Sequence, residues 1–303
     1  MKTVFVMGSL NLDLVMSTTS FPHAGETIKG TDFFTNPGGK GANQAVASAK
    51  QGAKTVMLGA VGNDHYGQEL KKTASDYGVD GTNIRTKPGS SGIAVILLQN
   101  QENRIIIHGG ANDRYTPEDA IEDLTRLAKK GDILVVQFEI PLAVLEAALP
   151  FAHDLGMTII VNPAPAVANV PSTLYPYINI LIPNEWEAAS LAKVDPQNFD
   201  AKKQAETLYC LGVKNVIITL GEQGSLFYDG KKPVIVPAIK VKAVDTTAAG
   251  DTFVGTIAAE LSFDHPLADA ILRATQSAAI TVTRKGAQQS IPTRQEVDQY
   301  FKK

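Results

Sequence analysis

Residues 133–161 read ILVVQFEIPLAVLEAALPFAHDLGMTIIV. Two short apolar runs, Ile133–Gln137 and Thr158–Val161, flank a stretch whose apolar residues return every three or four positions, Pro141–Leu155. The runs do not alternate apolar with polar, which suits strands covered on both faces, and the middle reads as an amphipathic helix. Outward from this unit the rhythm repeats. Further runs are Val4–Met7, Thr55–Val61, Ile178–Ile182 and Val216–Leu220. Helical patterns fall at Gly41–Gln51, Pro117–Lys129, Asp200–Leu211, Asp251–Leu261 and Leu267–Thr283. Strand–helix alternation predicts an α/β fold: a doubly wound, mainly parallel sheet with helices on both faces.

Two segments break the rhythm. Glu26–Asn36 and Gly92–Gly109 are rich in Thr, Phe, Ile and Val and read as hairpin material inserted between βα units. They form either a small β-sheet lid, over about residues 14–36 and 92–109, or an antiparallel extension of the main sheet. With no internal repeat and no low-complexity linker, residues 1–303 are expected to form one α/β domain carrying that lid.

Composition narrows the function classes. The chain of 303 residues is 44% hydrophobic and 19% charged, enough to bury a large core. A net charge of -3 offers no basic field for nucleic acid or an anionic membrane. The one cysteine, Cys210, excludes a disulfide scaffold and reads as a small core residue in an apolar helical stretch. Val4–Met7 is too short for a signal-peptide core, and no run is long enough to span a bilayer, so the expected compartment is the cytoplasm. There is no G-x-x-x-x-G-K-[ST] string, no G-x-G-x-x-G after the first strand, no G-x-S-x-G elbow and no metal spacing among the histidines.

Five strings can carry chemistry. Ala248-Ala249-Gly250-Asp251 opens a helix, where small residues and the helix dipole favour an anion. A carboxylate would compete with that anion unless it takes a proton from a hydroxyl while the amides hold phosphate oxygens. An Asp in a first turn also simply favours a helix start. Gly38-Gly39-Lys40-Gly41-Ala42-Asn43 opens another helix, with donors on Lys40 and Asn43, though a plain loop-to-helix turn reads the same way. Asn11 and Asp13 follow the first strand at a spacing of two, which puts both side chains on one side, suited to vicinal sugar hydroxyls; a turn is the plainer reading. Asn184 and Glu187 could serve magnesium or form a capping box. Thr219-Leu220-Gly221-Glu222-Gln223-Gly224 follows a strand and could underlie a nucleotide.

In order along the chain, these strings, with Asn162-Pro163-Ala164-Pro165-Ala166, resemble the PfkB, or ribokinase-like, carbohydrate kinase family over almost the whole length. The GGKGANQA, NPAPA and DTTAAGD strings resemble its ribose-phosphorylating branch. The resemblance implies ATP-dependent transfer of phosphate to O5 of D-ribose, giving D-ribose 5-phosphate and ADP. Asp251 would be the base and Ala248, Ala249 and Gly250 the anion hole. Asn11, Asp13, Gly38, Gly39, Lys40, Asn43 and Glu139 would bind sugar. Asn184, Glu187, Thr219 to Gly224, Gly250 and Thr275 would serve ATP and Mg²⁺. Asp245, Thr247, Thr281, Arg284, Gly286 and Ser290 match a K⁺ site, several through carbonyls. The lid would pair with a second subunit as a homodimer. Other sugars of the family (2-deoxyribose, fructose), a nucleoside, or a non-catalytic sugar-binding role remain as alternatives; a dinucleotide oxidoreductase is disfavoured by its missing glycine fingerprint.

Overall fold

The computed structural model describes residues 1–99, 102–167 and 169–302. Its strands are β1 (Thr3–Met7), β2 (Asn11–Ser17), β3 (Asp32–Gly38), β4 (Lys54–Gly62), β5 (Ile84–Lys87), β6 (Gly92–Gln99), β7 (Glu102–His108), β8 (Ile133–Gln137), β9 (Thr158–Asn162), β10 (Ile180–Leu181), β11 (Val216–Thr219), β12 (Ser225–Tyr228) and β13 (Val234–Val236). Its α-helices are α1 (Lys40–Lys50), α2 (His65–Asp76), α3 (Pro117–Leu127), α4 (Leu142–Asp154), α5 (Glu185–Leu191), α6 (Ala201–Cys210), α7 (Ala249–Ser262), α8 (Leu267–Thr281) and α9 (Arg294–Phe301).

Nine strands form the main sheet in the order β13-β12-β11-β10-β9-β8-β1-β4-β5. Pairing is parallel from β5 to β11 and antiparallel at β12 and β13. The α/β, mainly parallel architecture is as expected. The apolar runs are continuous because each strand feeds two cores. Phe5, Met7, Leu134 and Val136 pack with Leu124 of α3 and Leu145 and Leu149 of α4. Val4, Val6, Ile133 and Val135 pack on the other face with Val46 of α1 and Val254 and Ile257 of α7. Period-2 alternation therefore divides apolar residues between two helix layers, not between core and solvent.

The sheet reverses direction of growth at β1: β4 lies on one side and β8 on the other. A crevice opens at such a switch point, beyond the carboxyl ends of the strands. Ser9 follows β1 and Glu139 follows β8 at that point, while Asn162 ends β9, Asn184 follows β10 and Thr219 ends β11.

The second sheet has four strands in the order β3-β2-β6-β7. It is a separate sheet, so the extension reading of the two inserted segments is not the one the chain adopts. Its composition differs from the sequence expectation in one arm. Only Asp32–Gly38 of the first inserted segment is a strand, and its antiparallel partner is β2, which begins at Asn11. Asn11 and Asp13 are thus strand residues and not part of a turn. The second arm is the expected hairpin of β6 and β7, except that Asn100 and Gln101 lie outside the described residues, as does Lys303 at the chain end.

Several other elements depart from expectation. Cys210 is exposed at the end of α6, not part of the core, because α6 buries Gln204, Ala205 and Leu208 instead. Helices α2 and α9 are not among the expected ones, whereas α5 starts at the capping box of Asn184 and Glu187. α2 is strongly polar and buries only Gly67, Leu70 and Ala74, too few to show a clear apolar stripe. α7 starts two residues earlier than its apolar pattern. No described helix is long and apolar enough to cross a membrane.

Candidate active site

The first turn of α1 lies directly on the exit of β1. Gly39 takes φ of 88°, a left-handed backbone, and a Cβ on Gly41 would stand 2.6 Å from the backbone of Gly8 and Ser9. Glycine is what allows this contact. It brings Asn43 and Gln44, on the inner face of α1, to the mouth of the β1/β8 crevice. Glu139 is fixed there from two sides. Its Oε2 accepts from Ser9 Oγ at 2.5 Å and from the Lys40 amide at 3.0 Å.

From the opposite side comes the start of α7. Its N-cap residue, Ala248, has φ of 60°, and no side chain caps the helix. The first amides of an α-helix have no partner within the helix, so those of Gly250 and Asp251 are left for a ligand. A Cβ on Gly250 would meet nothing within 4 Å, so the space beside it is open. Asp251 does not cap its own helix. Its carboxylate is buried, with Oδ2 accepting from Asn43 Nδ2 at 2.9 Å and Oδ1 from Gln44 Nε2 at 3.0 Å. Asn43 Oδ1 is buried with no hydrogen-bond partner.

Residues Ala248 to Asp251 line a cleft of about 240 Å³ together with Lys40, Asn162, Asn184, Glu187, Thr219 and Thr246. Lys40 is the basic side chain of that lining. Burial pulls the Lys40 ammonium down, but the carboxylates of Asp251, Glu139 and Glu187 outweigh it and hold it above the ordinary lysine range. Burial, with Glu139 and Asp251 nearby, pushes the Asp13 carboxyl up to about 7. Burial likewise raises Glu187, against the Asn184 amide and Lys40, which favour its charge.

Asn11 and Asp13 occupy alternate positions of β2 and so share a face of the second sheet. Asn112 Nδ2 donates to Asn11 Oδ1 at 2.7 Å, which leaves the Asn11 amide nitrogen to donate elsewhere. Gly38 lies against Asp13, since a Cβ there would come 2.6 Å from its Oδ2. Asn184 and Glu187 do form the capping box: Asn184 Oδ1 accepts from the Glu187 amide, and Glu187 Oε2 from the Asn184 amide, each at 2.8 Å.

The chain belongs to the pfkB carbohydrate kinase family. The family model, described as "pfkB family carbohydrate kinase", matches residues 1–294. The chain is similar to the ribokinase of Schizosaccharomyces pombe, 41% identical over 99% of this chain and 98% of that one. It is also similar to the deoxyribokinase of Salmonella typhi, 36% identical over 98% of each. The solved structure of Arabidopsis thaliana ribokinase complexed with ribose and ATP superposes with a TM-score of 0.90 at 32% identity, covering 98% of each chain.

Some of the expected residues do not reach the cleft. Of the Thr219–Gly224 string, Thr219 lines it; Leu220 is buried, and Gly221, Glu222 and Gln223 stand exposed on a short 3-10 turn closed by Gly224. The Thr275 hydroxyl donates to the Ile271 carbonyl of its own helix at 2.9 Å. The cation set is drawn together only in part. Asp245 Oδ1 accepts from the Thr247 amide at 2.9 Å and hydroxyl at 2.6 Å, and Oδ2 from the Gly286 amide at 2.9 Å. These bonds outweigh burial and hold the Asp245 carboxyl below its ordinary range. The Arg284 guanidinium turns away to Glu296, and the hydroxyls of Thr281 and Ser290 donate to backbone carbonyls of Ser277 and Ala287.

Sequence reasoning gave no role to Ser9, Gln44, Asn112 or Asn162. Gln44 was visible, since it follows Asn43 in the glycine-rich string. Asn112 lies 101 residues from the asparagine it holds, and no local pattern announces such a partner.

Proposed function

We propose that this carbohydrate kinase moves the γ-phosphate of ATP to O5 of D-ribose, with Asp251 as the general base. The observation that carries the reading is the state of Asp251. It is the acid of the first turn of α7, yet two side-chain amides from α1 hold it as a floor to the cleft while the helix amides beside it stay free. A first-turn carboxylate that only favoured the helix through its dipole would need no amide partners from another helix. Asp251 takes the proton of the sugar's terminal hydroxyl as that oxygen attacks phosphorus. The amides of Gly250 and Asp251 offer the transferring phosphoryl oxygens fixed donors, which suits a loose, charge-spread transition state, while the Ala249 amide donates to the Thr246 carbonyl at 3.2 Å.

Asn11, Asp13, Gly38, Gly39, Asn43 and Glu139 hold the sugar. The unpartnered Asn43 Oδ1 gives a buried acceptor for a hydroxyl at the base itself. Lys40 lies on the path between sugar and phosphate. Asn184, Glu187, Thr219 and the 220–224 turn, with Thr275, serve the nucleotide side. Three carboxylates, Asp251, Glu139 and Glu187, act on the one ammonium there, which is too little positive charge for a triphosphate. Mg²⁺ bound with the nucleotide would supply the missing charge, with Asn184 and Glu187 as the side chains that would hold it through oxygens or waters. Asp245, Thr247, Gly286 and Ser290, with carbonyls of Thr281 and Arg284, offer only oxygen ligands and one carboxylate, a donor set that fits a singly charged hard cation such as K⁺.

Residues 1–303 act as one cytoplasmic unit, with the four-stranded sheet as its lid and as the surface of a homodimer. Likeness to a deoxyribokinase keeps 2-deoxyribose as the second substrate reading. Replacing the base tests the assignment. In Asp251→Asn, ADP release should fall by about 10²–10⁴-fold, the range typical for loss of a general base, with ribose affinity by calorimetry nearly unchanged. Turnover close to that of the unaltered protein would remove Asp251 from its role.

A further inference from the structure

Gln44 is wholly buried and is used on every polar atom. Its Nε2 donates to Asp251 Oδ1 and to Asn162 Oδ1, each at 3.0 Å. Its Oε1 accepts from Gln137 Nε2 at 2.7 Å, and Gln137 is itself fully buried at the end of β8. Asn162 Nδ2 donates in turn to the Ile182 carbonyl at 2.9 Å. The direction of these bonds fixes the Gln44 amide. Turning it over would set its oxygen against the carboxylate of Asp251 and the Oδ1 of Asn162, and its NH₂ against the NH₂ of Gln137, whose own Oε1 has no hydrogen-bond partner.

We propose that Gln44, oriented by Gln137, is the positioning residue of the base: it holds Asp251 Oδ1 and so aims the remaining lone pairs of the carboxylate at the sugar hydroxyl. Asn43 holds the other oxygen but sits at the sugar. Gln44 is closed off behind the carboxylate by Asn162 and Gln137 and does not touch substrate. A primary amide nitrogen cannot accept the proton, so the proton stops on Asp251 and does not travel along the amide chain. Positioning is worth much here, because misplacing a reacting group by about 1 Å can cost on the order of a hundredfold in rate. The inference rests on the reading of Asp251 as base.

The test sets Gln44→Leu, Gln44→Glu and Gln137→Met beside Asp251→Asn, with ADP release and ribose binding measured for each. Gln44→Leu is expected to lower kcat by about ten- to a hundredfold with KM and ribose affinity within about threefold. Gln44→Glu places a second carboxylate against Asp251, and the two must share a proton. The acid limb of its kcat–pH profile should therefore move up by about one pH unit or more, a change that mere loosening of the fold does not produce. Should Gln44→Leu fail to fold, Gln137→Met, which frees the amide to turn, should still lower kcat severalfold at unchanged KM. A kcat near the unaltered value in Gln44→Leu, or an unmoved acid limb in Gln44→Glu, overturns the proposal. If that happens while Asp251→Asn is dead, only the role of Gln44 falls; full turnover in Asp251→Asn would bring down the base assignment first.

Discussion

Asp13 shows how burial and charge set the behaviour of a single residue. Its carboxyl is pushed up to about 7 by burial and by Glu139 and Asp251. Below that pH the neutral acid is favoured in the folded protein. The stability this contributes is complete below the ordinary carboxyl value of 3.8 and is lost as pH rises through about 7. Sugar binding runs the other way. An ionised carboxylate accepts hydroxyl protons with both oxygens, and ribose presents donors. KM for ribose should therefore fall as pH rises between about pH 6 and pH 8, and Asp13→Asn, which cannot titrate, should show a higher and flat KM. Initial rates across that range check this; an unchanged slope in Asp13→Asn would take Asp13 out of the sugar site. Much of this scale was legible in the sequence. Asp251, Asn43, Asn11 and Asp13 lay in strings whose residue types suited the chemistry. Glu139 came only from resemblance, and Asn112 and Gln137 were invisible, because their roles exist only once β1, β8 and the 109–114 turn lie side by side.

At the scale of elements, strand runs and long helices were readable because burial on both faces leaves an unbroken apolar signature. Helix starts read less well. Apolar periodicity begins at Asp251, but α7 begins at Ala249, since its first turn faces the cleft and carries no large apolar residue. The lid sheet misled for a related reason. β2 follows β1 after three residues and has no turn string of its own, so it read as part of a loop. That sheet still has an unmet demand. Phe33, Phe34, Val95, Ile105, Ile106 and Ile107 are all exposed, and β7 is an edge strand with apolar side chains on both faces. Such an edge is a template for pairing unless another chain covers it. The proposed homodimer through the lid would meet the demand. Ile106→Glu, which puts a charge in the centre of that surface, should shift the protein from dimer to monomer in sedimentation equilibrium at micromolar concentration. A monomeric unaltered protein, or an Ile106→Glu dimer of the same affinity, would remove the lid as the interface.

For the molecule as a whole, one switch point gathers nearly everything. Five neighbouring strands, β1 and β8 to β11, deliver Ser9, Glu139, Asn162, Asn184 and Thr219 to one edge of the sheet. α1 and α7 close the crevice from the same face, and their packing sets the distance between Asn43, Gln44 and Asp251. The four-stranded sheet carries Asn11 and Asp13, so in the proposed reading sugar is held by that sheet and phosphate by the main one. Closure of such a lid shields the transferring phosphoryl group from water and ties turnover to the presence of sugar. The most direct test is ADP release from the purified protein with ATP, Mg²⁺ and K⁺, against ribose, 2-deoxyribose, fructose, adenosine and no sugar. Turnover that depends on ribose and exceeds that with every other member of the panel is the expected result. Equal ADP release with and without ribose, or silence from folded protein across the whole panel, would contradict it.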